Sequence, residues 1–234
     1  MHFHLPKPLH GWREFVGEVG IIVVGVLIAL GAEQIIENWR WEEKVSSAQE
    51  TMDNEIKNSL LGAVELNELE NCTEVQFAAL QKAILRGDEP AVRQILAGIE
   101  IPGRQWAGNA FEATLAAQVS DHLGSENLRK YSQVYQMIRK IHRIQQNDED
   151  TFSDLVVAYD APSIAVTPEI RYARLRELAN THLRLMSKRN QGRVLLRYAK
   201  SDLGLEVTQD DYLRATDRAD ALKRCRAKAA LLKS

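Results

Sequence analysis

The residues of this 234-residue chain whose types could do chemistry are few: six histidines, two cysteines, and two glutamates at the edges of one apolar run. A metal centre asks for three or four ligands converging on one point. His2 and His4 offer a His-x-His pair with no carboxylate or cysteine nearby, a weak ligand set. His122, His142 and His182 each stand alone in a helical pattern, without His-x-x-x-His or Glu-x-x-His spacing, and read as solvated or core histidines. No nucleophile elbow, Walker loop or dinucleotide fingerprint occurs. The chain is therefore read as non-catalytic, with no catalytic residue, metal or cofactor assigned.

Cys72 and Cys225 are the only cysteines, so no Cys-x-x-Cys spacing exists and structural zinc is not expected. One disulfide in an oxidising compartment and two separate buried thiols are both open readings. Asn71-Cys72-Thr73 matches a glycosylation sequon, but inside a helical pattern, where the match is common by chance.

Glu18 and Glu33 bound the stretch GEVGIIVVGVLIALGAEQ, and a carboxylate at membrane depth is costly enough to have a reason. Residues 19–32 carry no charge, which is ambiguous among a core helix, a signal sequence and a short span. Counting from 15 to 36 gives the roughly 20 residues a bilayer requires. Trp12 and Phe15 before the run, with Trp39 and Trp41 after it, supply aromatic rings at both expected interfaces. Glu14 and Glu18 ahead of the apolar core argue against a cleaved signal. The expectation is a short tail over 1–14, a transmembrane helix over 15–36 and an extramembrane domain over 37–234.

On a helix, Glu18, Ile22, Gly25, Ala29, Ala32 and Ile36 share one stripe with Glu33 at its edge, and Gly25 with Ala29 forms a small-x-x-x-small pair. One reading is a contact with a second copy or a larger membrane protein, with Glu18 bonded across it. The other is that both glutamates simply reach the interfaces.

Gly17-Glu18-Val19, Gly25-Val26-Leu27-Ile28-Ala29-Leu30 and Asn38-Trp39 together resemble the N-terminal signature of a family of uncharacterised bacterial single-span membrane proteins. In that family a Gly-Glu-led apolar segment ends in Gly-Ile-Leu-Ile-Ala-Leu before an Asn-Trp stretch. The likeness covers about the first 45 residues; it implies a topology and no activity. Lys7 and Arg13 on one side balance Arg40 and Lys44 on the other, so basic residues do not orient the span. The signal-anchor layout places the domain outside the cytoplasm, giving a bacterial inner-membrane protein with a periplasmic C-terminal domain.

The elements that must position these residues read as helices throughout. After the apolar run no proline occurs before Pro90. Val45, Ala48, Met52, Ile56, Leu60 and Ala63 form one apolar register, and Leu66, Leu69, Thr73, Phe77, Leu80 and Ile84 a second. The spacing predicts a long stalk helix bending at Gly62 or at the shift. Asp88 with Pro90 predicts a short helix, and residues 106–122 a further one. Ser125 opens a long helix with Leu128, Tyr131, Val134, Ile138, Ile141, Gln145, Asp148, Phe152 and Leu155 on one stripe. Thr167-Pro168 opens another, and Thr208 with Asp211 caps a last one over about 210–231. Only residues 164–166 hold a β-branched cluster, so the fold class is all-α: a transmembrane helix continuing into a stalk and an antiparallel helical bundle.

Residues 167–234 hold 16 Lys and Arg against 8 Asp and Glu, leaving −10 for the first 166. Basic residues interleaved with acids favour a basic helix pair packed beside acidic helices over a nucleic-acid surface, and no nucleic acid is expected. The expected partners are membrane lipid and either a membrane protein or a second copy. The functional expectation is a structural or accessory subunit, with a ligand-binding sensor module as the alternative.

Overall fold

A computed structural model describes residues 11–99, 104–106, 108–160, 167–214 and 216–233, with side chains for all of these except 13, 14, 148–160, 216, 217 and 233. His2, His4, Lys7 and the 164–166 cluster lie outside the described residues, as do the side chains of Asp148, Phe152 and Leu155. All described elements are helical.

Two consecutive helices, α1 (Trp12–Glu68) and α2 (Glu70–Arg86), make a rod with about 110 Å of helix at 1.5 Å per residue. The helix runs unbroken through Gly62, and its interruption comes just past the register shift. The one interruption is Leu69, which keeps right-handed backbone angles (φ −81°, ψ −7°), and N–H groups of Leu69 and Thr73 still donate to the carbonyls four residues back at 3.0 Å. Both apolar registers are buried, Met52, Ile56, Leu60 and Ala63 below that point and Leu66, Phe77, Leu80 and Ile84 around it. Gly62 has a different role: a Cβ there would lie 3.3 Å from the Trp106 ring, so its bare backbone admits the indole. Gly87 (φ 69°) ends the rod, with Gly87 and Asp88 N–H groups donating back to Ile84 and Ala83 in a Schellman closure.

The chain then turns back. The short helix α3 (Glu89–Leu96) starts as expected, with the Asp88 carboxylate accepting from the Ala91 N–H at 3.1 Å. Residues 106–122 do not form one helix. Trp106 is a core plug whose Nε1 donates to Gln145 Oε1 at 2.8 Å. It precedes α4 (Asn109–Ala116), and Gln118 (φ 57°) breaks the segment before a 3-10 turn, Val119–His122. That break lets the turn lie across α1 and bring His122 onto Trp41.

From this low point α5 (Ser125–Asp160) ascends beside the rod, burying Tyr131, Val134, Tyr135, Ile138 and Ile141. The next helix, α6 (Pro168–Tyr198), descends, its Gly192 set so close to Ala63 that an added Cβ would stand 3.2 Å from the alanine Cβ. A π turn (Ala199–Leu203) and Gly204 reverse the chain. The expected last helix is helical on both sides of residue 215, as α7 (Gln209–Arg214) and α8 (Thr216–Lys233). Thr208 and Asp211 cap α7 reciprocally, at 2.8 and 3.2 Å. The main core lies between the rod and α3 to α6, and a satellite of Leu69, Cys72, Tyr212, Leu222, Cys225 and Ala229 fixes α7 and α8 to the rod.

One expectation changes. The stalk is not a bare spacer: only residues 37–40 stand clear, and from Trp41 onward α1 is the central helix of the bundle, because α4 and the 3-10 turn descend along it.

Candidate membrane anchor and the polar seams of the bundle

The helix over residues 15–36 is about 33 Å long at 1.5 Å per residue, against a hydrocarbon core of about 30 Å. Every residue in it is exposed. It is long and apolar enough to cross a membrane. Ile21 is 76% and Leu27 62% exposed, an uninterrupted apolar surface that a folded domain in water does not leave open. Nothing lies within 4 Å of where a Cβ would sit at Gly17, Gly20, Gly25 or Gly31. The stripe of Glu18, Ile22, Gly25, Ala29, Ala32 and Glu33 therefore has no partner within the described chain.

The four aromatic residues divide into two kinds. Trp12 and Phe15 are exposed with ring centroids 6.0 Å apart, and Trp39 is exposed at the other end. Trp41, two residues on and so on the opposite side of the helix, turns inward: its ring stacks on His122 at 3.9 Å, with Lys44 Nζ 4.2 Å from its centroid. Trp41 thus ties the floor of the bundle to the helix about 8 Å beyond residue 36.

Inside the bundle the polar side chains are organised as seams between helices. Arg189 of α6, 2% exposed, donates to Glu74 and to Thr73 Oγ1 on α2. His182 Nε2 lies 2.7 Å from Glu74 Oε2, and its ring stacks on Phe77 at 5.1 Å. Burial pushes the Glu74 carboxyl up, but hydrogen bonds and charge from Arg189 and His182 outweigh it and hold the group below its ordinary value. Arg193 reaches Glu70 and Asn67, Arg174 grips Glu89 at 3.0 Å, and Arg226 reaches Glu68 at 3.5 Å. The basic last third is thus paired with the acidic rod.

A second seam joins the rod to α4 and α5. Glu55 accepts from the N–H groups of Asn109 (3.1 Å) and Ala110 (2.9 Å) and from the Tyr135 hydroxyl (2.7 Å), capping α4 from 54 residues away. Asp53 accepts from Tyr131 at 2.7 Å. Burial first, then these carboxylates, push both phenols far above their ordinary value. Glu65, 1% exposed, takes Arg104 at 2.6 and 2.9 Å.

These seams hold helices together. The cleft beside His182 is lined by Phe77, Ala78, Gln81, Leu175, Leu178 and Ala179 together with the Glu74–His182 pair itself. The three histidines stand at separate places, and no group of three His, Cys, Asp or Glu side chains converges as a metal site would need among the described residues. Cys72 and Cys225 form a disulfide linking α2 to α8, which decides between the two readings left open by the sequence. Glu55, Glu65, Glu74 and Arg189 were not singled out from sequence, because charged residues with solvated-face spacing carry no mark of burial. The available signal was, for Glu55, Glu65 and Glu74, a position one residue from the apolar seam and, for Arg189, a place four residues after Leu185 on the same helix face. No family model, curated protein or solved structure matches the chain.

Proposed function

We propose that this chain is a non-catalytic, membrane-anchored helical protein serving as a structural or accessory subunit of a membrane assembly. Residues 15–36 span the bacterial inner membrane and the bundle stands on its periplasmic face. The observation that carries this reading is the continuity of α1: a helix exposed on every side over 15–36 becomes, from Trp41 onward, the central helix of a packed bundle. Whatever engages the span is thereby coupled through an unbroken helix to the outer domain, and the Trp41–His122 stack holds that domain close to the interface. The Cys72–Cys225 disulfide supports the outward orientation, since such bonds persist in oxidising compartments. The bilayer itself is the first partner, and the unpartnered Gly25 and Ala29 stripe is the surface for a second copy or another membrane protein.

Alkaline carbonate extraction of full-length protein, combined with C-terminal reporter fusions, tests both parts. The expected result is retention in the membrane and activity only of a reporter that works outside the cytoplasm. Release by carbonate overturns the anchor; activity of a cytoplasm-only reporter at Ser234 reverses the orientation. A second reading, a sensor module that signals through a partner, is favoured by a cleft under α8.

A further inference from the structure

An open cleft between α2, α3 and α8 has a volume of about 360 Å³, at the small end of the range of small-molecule sites. Its walls are Ala91, Ile95 and Gly98 on one side and Leu231 and Leu232 on the other, with Gln76, Gln94 and Lys228 contributing polar groups. Leu231 is 76% exposed, whereas Gln76 is 1% exposed. The Gln76 amide is oriented by its neighbour. A disulfide sulfur has no proton to give, so the NH2 end of Gln76 must face Cys225 Sγ, at 3.8 Å, and the carbonyl end faces away. That buried Oε1 accepts no hydrogen bond among the described residues. A buried acceptor left unsatisfied is rare and marks a place where something else completes it.

We propose that this cleft binds a small, mostly apolar molecule that donates one hydrogen bond, from a hydroxyl or an amide N–H, to Gln76 Oε1. The ligand comes from the aqueous phase. Gln76 lies 40 residues beyond residue 36, about 60 Å of helix from the end of the apolar segment, out of reach of bilayer lipid. The proposal does not depend on which way the bundle faces.

The test uses the full chain in lipid nanodiscs with two fluorine-labelled probes, 4-fluorophenol and 4-fluoroanisole. They share a ring, but only the phenol can donate. Fluorine NMR titration should show saturable phenol binding above that of empty nanodiscs, with the anisole roughly three- to tenfold weaker, the worth of one neutral hydrogen bond. Gln76→Met should lower phenol affinity to the anisole level and leave the anisole unchanged. Ala91→Trp, which fills the cleft, should abolish both. Phenol binding no greater than in empty nanodiscs, equal affinity for the two probes in the unmodified protein, or binding undiminished by Ala91→Trp would each overturn the proposal. The probe comparison needs no variant, so a folding defect in Gln76→Met does not blunt it.

Discussion

Glu74 carries a charge in a place that resists charge. Burial opposes its ionisation, and Arg189 with His182 overcomes that opposition, so its folded-state value lies below the ordinary 4.5. A carboxyl depressed on folding contributes stability that is complete above its unfolded value and is lost as pH falls through the folded one. Glu74's contribution to the α2–α6 seam should therefore fade below about pH 4.5. Urea midpoints measured at pH 6 and pH 3.5 should drop more for the unmodified chain than for Glu74→Gln, which lacks the titrating group. Equal drops would show that Glu74 is not coupled to folding. Because the Glu74 side chain is 40% exposed, solvent screens the pair and the difference should be modest.

At the scale of elements, two contacts decide how the helices sit. Gly192 lets α6 approach α1 at Ala63, so Gly192→Leu should force the two apart and destabilise by about 1–3 kcal/mol, read as a lower denaturant midpoint. Glu55 closes the N-terminus of α4, where Gly108 provides no side-chain cap. Glu55→Ala should cost about 1–2 kcal/mol by loss of the cap, and hydrogen exchange at Asn109 and Ala110 should accelerate before that of the rod. The existence of the helices was legible because apolar residues recur at three and four, as at Met52, Ile56, Leu60 and Ala63. Their interruptions at Leu69 and Gln118 were not. Neither residue is a breaker by type, and each takes its conformation from what packs on either side.

For the whole molecule, the open question is what meets the exposed apolar helix. Gly25→Leu with Ala29→Leu should leave membrane insertion intact, since leucine transfers to the bilayer at least as well, while adding bulk where another backbone would approach. Native mass in detergent should fall from an assembly to the monomer. An assembly unchanged by the double substitution would mean that this stripe faces lipid and that association uses another surface.

By itself the sequence determined what depends on local pattern and length. The unbroken apolar run, the aromatic edges, the helical periodicity and the cap signals at Asp88, Thr167 and Thr208 all act within a few residues, so they are readable without a fold. Tertiary structure alone decided what depends on distant groups meeting. It pairs Cys72 with Cys225 across 153 residues, sets Glu55 on the end of α4, turns Trp41 inward onto His122, and leaves Gln76 Oε1 buried beside a cleft. A charged or amide side chain has the same local spacing whether it faces water or another helix. Only the packing of one helix on the next removes the water and makes its partner matter.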